Sequence, residues 1–248
     1  EAKNVLHKDF HVRQLYYPYR LWRNKVSKPI RLVFSVYSNM IYRLFEYRFN
    51  KLEDYSSIEL IRTKNYSLQD MHISLEDLMD IRRNTVVTKS DNISETVIPF
   101  IQADSVNRLI SLLENMESNP MTAEQIIELM DFVGRQYNYY VSAGIYLGIF
   151  ERELENKTTK LTEIGVSLCR MTYKERQLKL VSLMVEHRIF ADFFDYVIDN
   201  NGELPSKQQV CDKMRELNVC KSESTMERRA CSVLSWLKWI FNLPHLAE

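Results

Sequence analysis

The chain opens on Glu1-Ala2-Lys3, an acid and an ammonium group separated by one residue. On a β-strand the side-chain period is two, so Glu1 and Lys3 share a face about 6.6 Å apart along the chain, with Ala2 on the other. A carboxylate so placed can hold a hard divalent cation while the ammonium group contacts the attacking water or a scissile phosphate. A helical stretch with Gln14, Tyr16, Tyr17, Tyr19 and Arg20 follows, suited to rest against such a site and receive a DNA backbone. Chance supplies acid-x-Lys tripeptides about twice in a chain of this size, and Glu155-Asn156-Lys157 is a second one. The opening therefore also reads as a solvated, helix-favouring terminus beside an aromatic core patch, because Tyr and Phe at helical spacing are more often core than ligand contacts.

A second group of residues has the chemistry of base and phosphate recognition. Arg135, Gln136 and Asn138 stand near the start of a helical stretch, and Ser222, Ser224, Thr225, Arg228 and Arg229 open another. Such side chains read base edges in the major groove, while lysines such as Lys157 and Lys160 contact phosphates. Charge argues the other way: residues 100 to 173 hold 6 basic and 10 acidic groups, and residues 174 to 248 balance at 11 and 11. Either the basic groups gather on one face, or these helices bind protein. His7 and His11 have the spacing of a helical metal pair, but no third ligand is evident and two surface histidines explain them as well. Tyr146, Trp236 and Trp239 read as core. With 5 glycines in the chain, no phosphate loop, G-x-S-x-G elbow or kinase set is present.

Composition sets the frame in which these residues must be held. At 248 residues, 45% hydrophobic and 27% charged, the chain is long enough for two or three cores. No uncharged apolar run reaches membrane-spanning length, and the start does not read as a signal peptide. The four cysteines, Cys169, Cys211, Cys220 and Cys231, lack zinc-site spacing and fit buried free thiols in a reducing cytoplasmic setting. Residues 1 to 64 carry 13 Lys+Arg against 6 Asp+Glu, so the net charge of zero conceals a basic amino-terminal unit. Polyanions favour such a surface.

Residues 9 to 24 predict a helix capped by Asp9 and bent or shortened by Pro18. After Pro29, IRLVFSVY and MIYRLFEYRF predict a hairpin turning at Ser38-Asn39, with a short strand or helix edge at 56 to 62. Ser74 caps a further helix. Residues 86 to 103 are polar, low in periodicity and contain Pro99, which marks a linker. Beyond them, helices capped by Asp104-Ser105 and by Thr122 with Gln125, a third from about 131 to 150, and a hairpin at Asn156-Lys157 give the order of a winged helix over residues 104 to 173. Residues 174 to 248 predict a similar unit, with Trp239-Ile240-Phe241 set over Gly148-Ile149-Phe150.

Taken together, EAKN, DFHVRQLYYPYR and the strand pair KPIRLVFSVYSNMIYRLFEYRF resemble the later part of the PD-(D/E)xK nuclease core, most of all type II restriction endonucleases with helical recognition domains. The resemblance covers residues 1 to about 65. It implies catalytic roles for Glu1, Lys3 and Gln14, with Glu1 a ligand of Mg2+, and an earlier metal-binding aspartate that lies upstream of Glu1. On the helix that follows, Tyr19 and Arg20 are the expected DNA contacts. The expected fold is α+β: a partial α/β nuclease-like unit with a β-hairpin (1 to 85), a linker, then mostly helical tandem winged-helix domains. The expected partner is double-stranded DNA, with no membrane and a possible homodimer. A noncatalytic tandem winged-helix regulator and a protein-interaction scaffold are the alternatives.

Overall fold

A computed structural model describes residues 2–5, 11–117 and 119–245. The fold is mixed α+β, 50% helical and 17% strand, with a small sheet at the amino terminus followed by mostly helical regions. The chain divides into two compact units, residues 1–69 and 70–248.

The first unit is a four-stranded sheet ordered β1-β2-β3-β4. β1 (Ala2–Lys3) runs parallel to β2 (Leu32–Ser38), pairing Lys3 with Val36. Parallel neighbours require a crossover, and this one contains α1 (Arg13–Arg23). The helix lays Leu15 and Tyr16 over Leu32, Phe34, Val36 and Phe49, so one sheet face is covered. Asp9, the expected cap, lies outside the described residues. Pro18 sits inside α1, yet the helix runs on to Arg23, whose tip donates to the Tyr19 hydroxyl. β2 turns into β3 (Ile41–Phe49) through Asn39 and Met40, both with positive φ (54° and 60°), one residue later than the sequence suggested. Both central residues at positive φ match the right-handed twist of the flanking strands. β4 (Ile58–Ser67) is longer than expected and reads exposed along nearly its whole length. Its ladder shifts register at Glu46/Tyr47, an irregularity that blunts an open sheet edge.

The second unit starts earlier than the predicted boundary at residue 85. α2 (Leu75–Asn84), with the Ser74–Asp77 capping box, packs on α7 (Tyr173–Val185). Lys174 donates to Asp77 (2.8 Å), and Arg82 makes a two-pronged bond to Asp195 (2.9 and 2.7 Å). Nor are residues 86–103 a loose linker. The Thr88 and Lys89 amides both donate to the Glu186 carbonyl, and the Ile93 amide donates to that of Asn218. Asp91 is buried and accepts from the Tyr146 hydroxyl (2.6 Å) and the Ile189 amide (3.0 Å), with His187 Nδ1 at 3.1 Å. Burial, and then the Asp91 charge, pushes the Tyr146 phenol well up from its ordinary value. Buried polar groups demand such partners. The segment is therefore a strap built into the core, and its polarity reflects these bonds.

Residues 104–161 contain α3 (Val106–Asn115), β5 (Met121–Thr122), α4 (Ala123–Met130), α5 (Gln136–Tyr146), β6 (Phe150–Glu153) and β7 (Thr158–Leu161). The strands form a sheet ordered β5-β7-β6, so three helices are closed by a hairpin as expected. α5 is shorter than the predicted 131 to 150. Asp131 takes a left-handed conformation as the C-cap of α4, and Gly148 (φ 72°) turns the chain from α5 into β6. A side chain at Gly144 would overlap the Phe150 ring, which explains a glycine inside α5. α6 (Glu163–Arg170) follows, and its end is held by Arg176 of α7: the buried guanidinium donates to the Leu168 (2.9 Å) and Cys169 (3.1 Å) carbonyls and to Glu114 (2.5 Å).

α8 (Arg188–Asp199), α9 (Lys207–Glu216) and α10 (Glu223–Asn242) make the second helical trio. Among the described residues beyond 173 there is no strand, so this trio lacks a wing. The expected superposition on the first fails as well. Gly148-Ile149-Phe150 is a turn entering a strand, whereas Trp239-Ile240-Phe241 lies within a 20-residue helix. Trp236 is fully buried and donates to the Ala103 carbonyl (3.0 Å). Cys169, Cys211 and Cys220 are buried or half-buried free thiols, while Cys231 is exposed, contrary to expectation.

Candidate nucleic-acid interface

Thr225, Arg228 and Arg229 occupy one face of α10, because residues three and four apart stack on a helix. With Gln102 of the strap and Tyr139 of α5 they line a cavity of about 200 Å3. Arg135 precedes Tyr139 by one helical turn, so the start of α5 leads towards the same cleft. The packing of the second unit thus brings the two candidate recognition helices together. Neither Gln102 nor Tyr139 was singled out by the sequence. The four-residue spacing from Arg135 was the one signal available for Tyr139, and Gln102 offered none.

Charge pairing shows why a neutral chain presents cations here. On α10, Glu223 is taken by Arg215 (2.8 Å) and Glu227 faces Lys207 (3.9 Å). Arg135, Arg228 and Arg229 have no carboxylate partner among the described residues. Arg228 bonds only within its helix, to the Ser224 carbonyl (3.2 Å) and the Thr225 hydroxyl (3.4 Å). Arg229 is half-buried and interacts with the Cys220 thiol, while its Nε is buried without a hydrogen-bond partner among the described residues. A guanidinium with unused donors and no counter-ion is suited to phosphate or a guanine edge.

The remaining candidates divide. Asn138 is exposed and accepts from Arg152 of β6 at 3.4 Å, while Gln136 is half-buried and spends its amide oxygen on the Val133 amide (2.9 Å), closing the turn into α5. Lys157 is exposed at the hairpin tip with φ 52° and no ion pair among the described residues. Lys160 is held by Glu153 (2.9 Å) and Glu151 (3.4 Å), which raise its pKa, Glu153 foremost. Of the two hairpin lysines, Lys157 alone is left for a partner.

In the first unit Lys3 is half-buried on β1, and its pairing with Val36 puts it on the sheet face that α1 covers. Gln14 of α1 has a buried Oε1 with no hydrogen-bond partner among the described residues. Tyr19 stacks on Phe49 (5.6 Å) and Arg20 lies over the Tyr16 ring and near Glu53 (3.7 Å), so both are engaged within the unit. Glu1 and His7 lie outside the described residues, and His11 is exposed. Among the described residues no three His, Cys, Asp or Glu side chains gather as a metal site. Among the described residues, the single orphan amide oxygen of Gln14 is too few donors to hold Mg2+. No helix among the described residues is long and apolar enough to cross a membrane.

No curated protein and no solved structure matches the chain. Residues 1–67 match a family described as domain of unknown function (DUF6997), which ends close to the boundary between the two units. Residues 108–245, more than half the chain and most of the second unit, match a second family model, and the chain accordingly belongs to the family described as domain of unknown function (DUF7226).

Proposed function

We propose that this chain binds double-stranded DNA in a sequence-specific way, as the recognition part of a Mg2+-dependent endonuclease of restriction type. The observation that carries the reading is the cleft between α5 and α10, where Arg228 and Arg229 meet Tyr139 with their acidic neighbours paired elsewhere. Arg135 and Asn138 extend that surface along α5, and Lys157 offers a phosphate contact at the hairpin tip. In the first unit, the parallel β1–α1–β2 crossover and the orphan Oε1 of Gln14 support the nuclease part. Lys3 there is the group to orient water or a phosphate, with Glu1 as the acid of the pair.

The test has two arms. Titrating a fluorescent duplex library with the full chain should give binding that weakens steeply with salt, and Arg135→Ala with Arg228→Ala should lower affinity for selected sites about tenfold or more. No duplex binding at low salt overturns the reading and favours a protein scaffold, for which the neutralised Lys160 speaks. For catalysis, the full-length protein should nick DNA with Mg2+ and lose that activity on Lys3→Ala. Binding without cleavage would leave a noncatalytic regulator.

A further inference from the structure

We infer that the open face of the amino-terminal sheet is a second nucleic-acid surface, one that takes unpaired single strands. It belongs to the first unit, and the inference does not rest on the duplex cleft of the second. The register fixes which residues share this face. Tyr37 pairs with Tyr42 and Tyr42 with Tyr66, so three tyrosines form a row across β2, β3 and β4. They are 42%, 40% and 52% exposed, although the opposite face of the same sheet is packed under α1. The rings of Tyr37 and Tyr42 lie 4.5 Å apart between centroids.

The next rows on this face are basic. Leu44 pairs with Lys64 and Glu46 with Arg62, and Arg31 reaches across to Glu46 (2.6 Å). Glu46 also accepts from Arg62 (2.5 Å), which leaves three cations against one carboxylate. Arg62, Lys64 and Tyr66 line a shallow hollow of about 300 Å3 beside the tyrosine row. Rings beside cations, at strand spacing, are what a single strand needs: a π-face for each base and a positive track for its backbone. Duplex DNA cannot use the row, because its bases are already stacked on one another. A covering partner of apolar character is disfavoured by Lys64 and the Arg31–Glu46–Arg62 triad.

The test uses the whole chain and fluorescein-labelled oligothymidine and oligouridine, followed by anisotropy at low and high salt. Binding of either oligomer should weaken about fivefold or more on Tyr42→Ala or Tyr66→Ala, and Lys64→Ala should flatten the salt dependence. Tyr42→Phe keeps the ring and should keep the affinity, which separates stacking from a folding defect. Arg135→Ala with Arg228→Ala should leave oligomer binding intact. Absence of binding by the unaltered chain, affinity equal in the tyrosine-to-alanine variants, or a self-associated chain that Tyr42→Glu renders monomeric would each overturn the inference, the last by giving the face to a second copy.

Discussion

The two helical trios of the second unit share an order of elements and differ in what finishes them. The first is closed by a hairpin: β7 pairs with both β6 and β5, and Gly144 lets Phe150 pack against α5. The second has no strand among the described residues and is closed by the strap, whose Asp91 holds the start of α8 and whose Ala103 carbonyl receives Trp236 of α10. A three-helix arrangement therefore needs a lid over its open side, and either a local hairpin or a distant segment serves. The consequence is functional, since the hairpin leaves a cationic tip at Lys157 whereas the strap contributes Gln102 to the cleft with Arg228 and Arg229.

Removing the strap's anchor should have the largest effect. Asp91→Ala leaves the Tyr146 hydroxyl and the Ile189 amide without their acceptor and His187 Nδ1 without its partner, at a cost of about 1–3 kcal/mol for each buried orphan that finds no water. We expect about 4 kcal/mol in all, seen as a lower denaturation midpoint, with fast hydrogen exchange of the Thr88, Lys89 and Ile93 amides and little change in the hairpin. If the hairpin amides loosened equally, the two lids would not be independent. Arg176→Met should come next, at about 3 kcal/mol, because it uncaps the end of α6 and leaves Glu114 without its buried partner. That loss belongs to the first trio's base, and exchange should rise in α6 while the strap stays protected.

A smaller effect is set by pH. The Lys174 hydrogen bond, followed by those from Ser74, lowers the Asp77 pKa to about 2. The folded pKa is depressed, so its stabilisation is complete above the ordinary carboxylate value and fades as pH falls towards about 2. We expect about 1–2 kcal/mol, discounted for partial exposure. Comparing Asp77→Asn with the parent chain between pH 5 and pH 2 checks it: the difference should shrink on acidification, and a difference that grew would contradict the assignment.

Much of the local structure was legible because it depends on near neighbours. The capping boxes at Ser74 and Thr122 each close within three residues, and the hairpin turn between β2 and β3 sits within one residue of its expected place. The strap was illegible for the opposite reason: Asp91 finds His187 96 positions later, and its polar sequence looks like solvent-facing chain until those partners are known. The apparent repeat at Trp239 failed because a matching tripeptide carries no information about whether a helix continues through it. In the cleft, the face of Thr225, Arg228 and Arg229 follows from helical spacing alone. Gln102 and Tyr139 join it through tertiary packing, and the isolation of the arginines depends on where Glu223 and Glu227 find partners.

The most direct test of the account is duplex-DNA affinity of the full chain against a triple variant, Arg135→Ala with Arg228→Ala and Arg229→Ala, measured across a salt series. The account predicts that the parent binds and that the variant, still folded by circular dichroism, loses at least about tenfold in affinity together with part of the salt slope. Equal affinity and equal slope in the two proteins would contradict it.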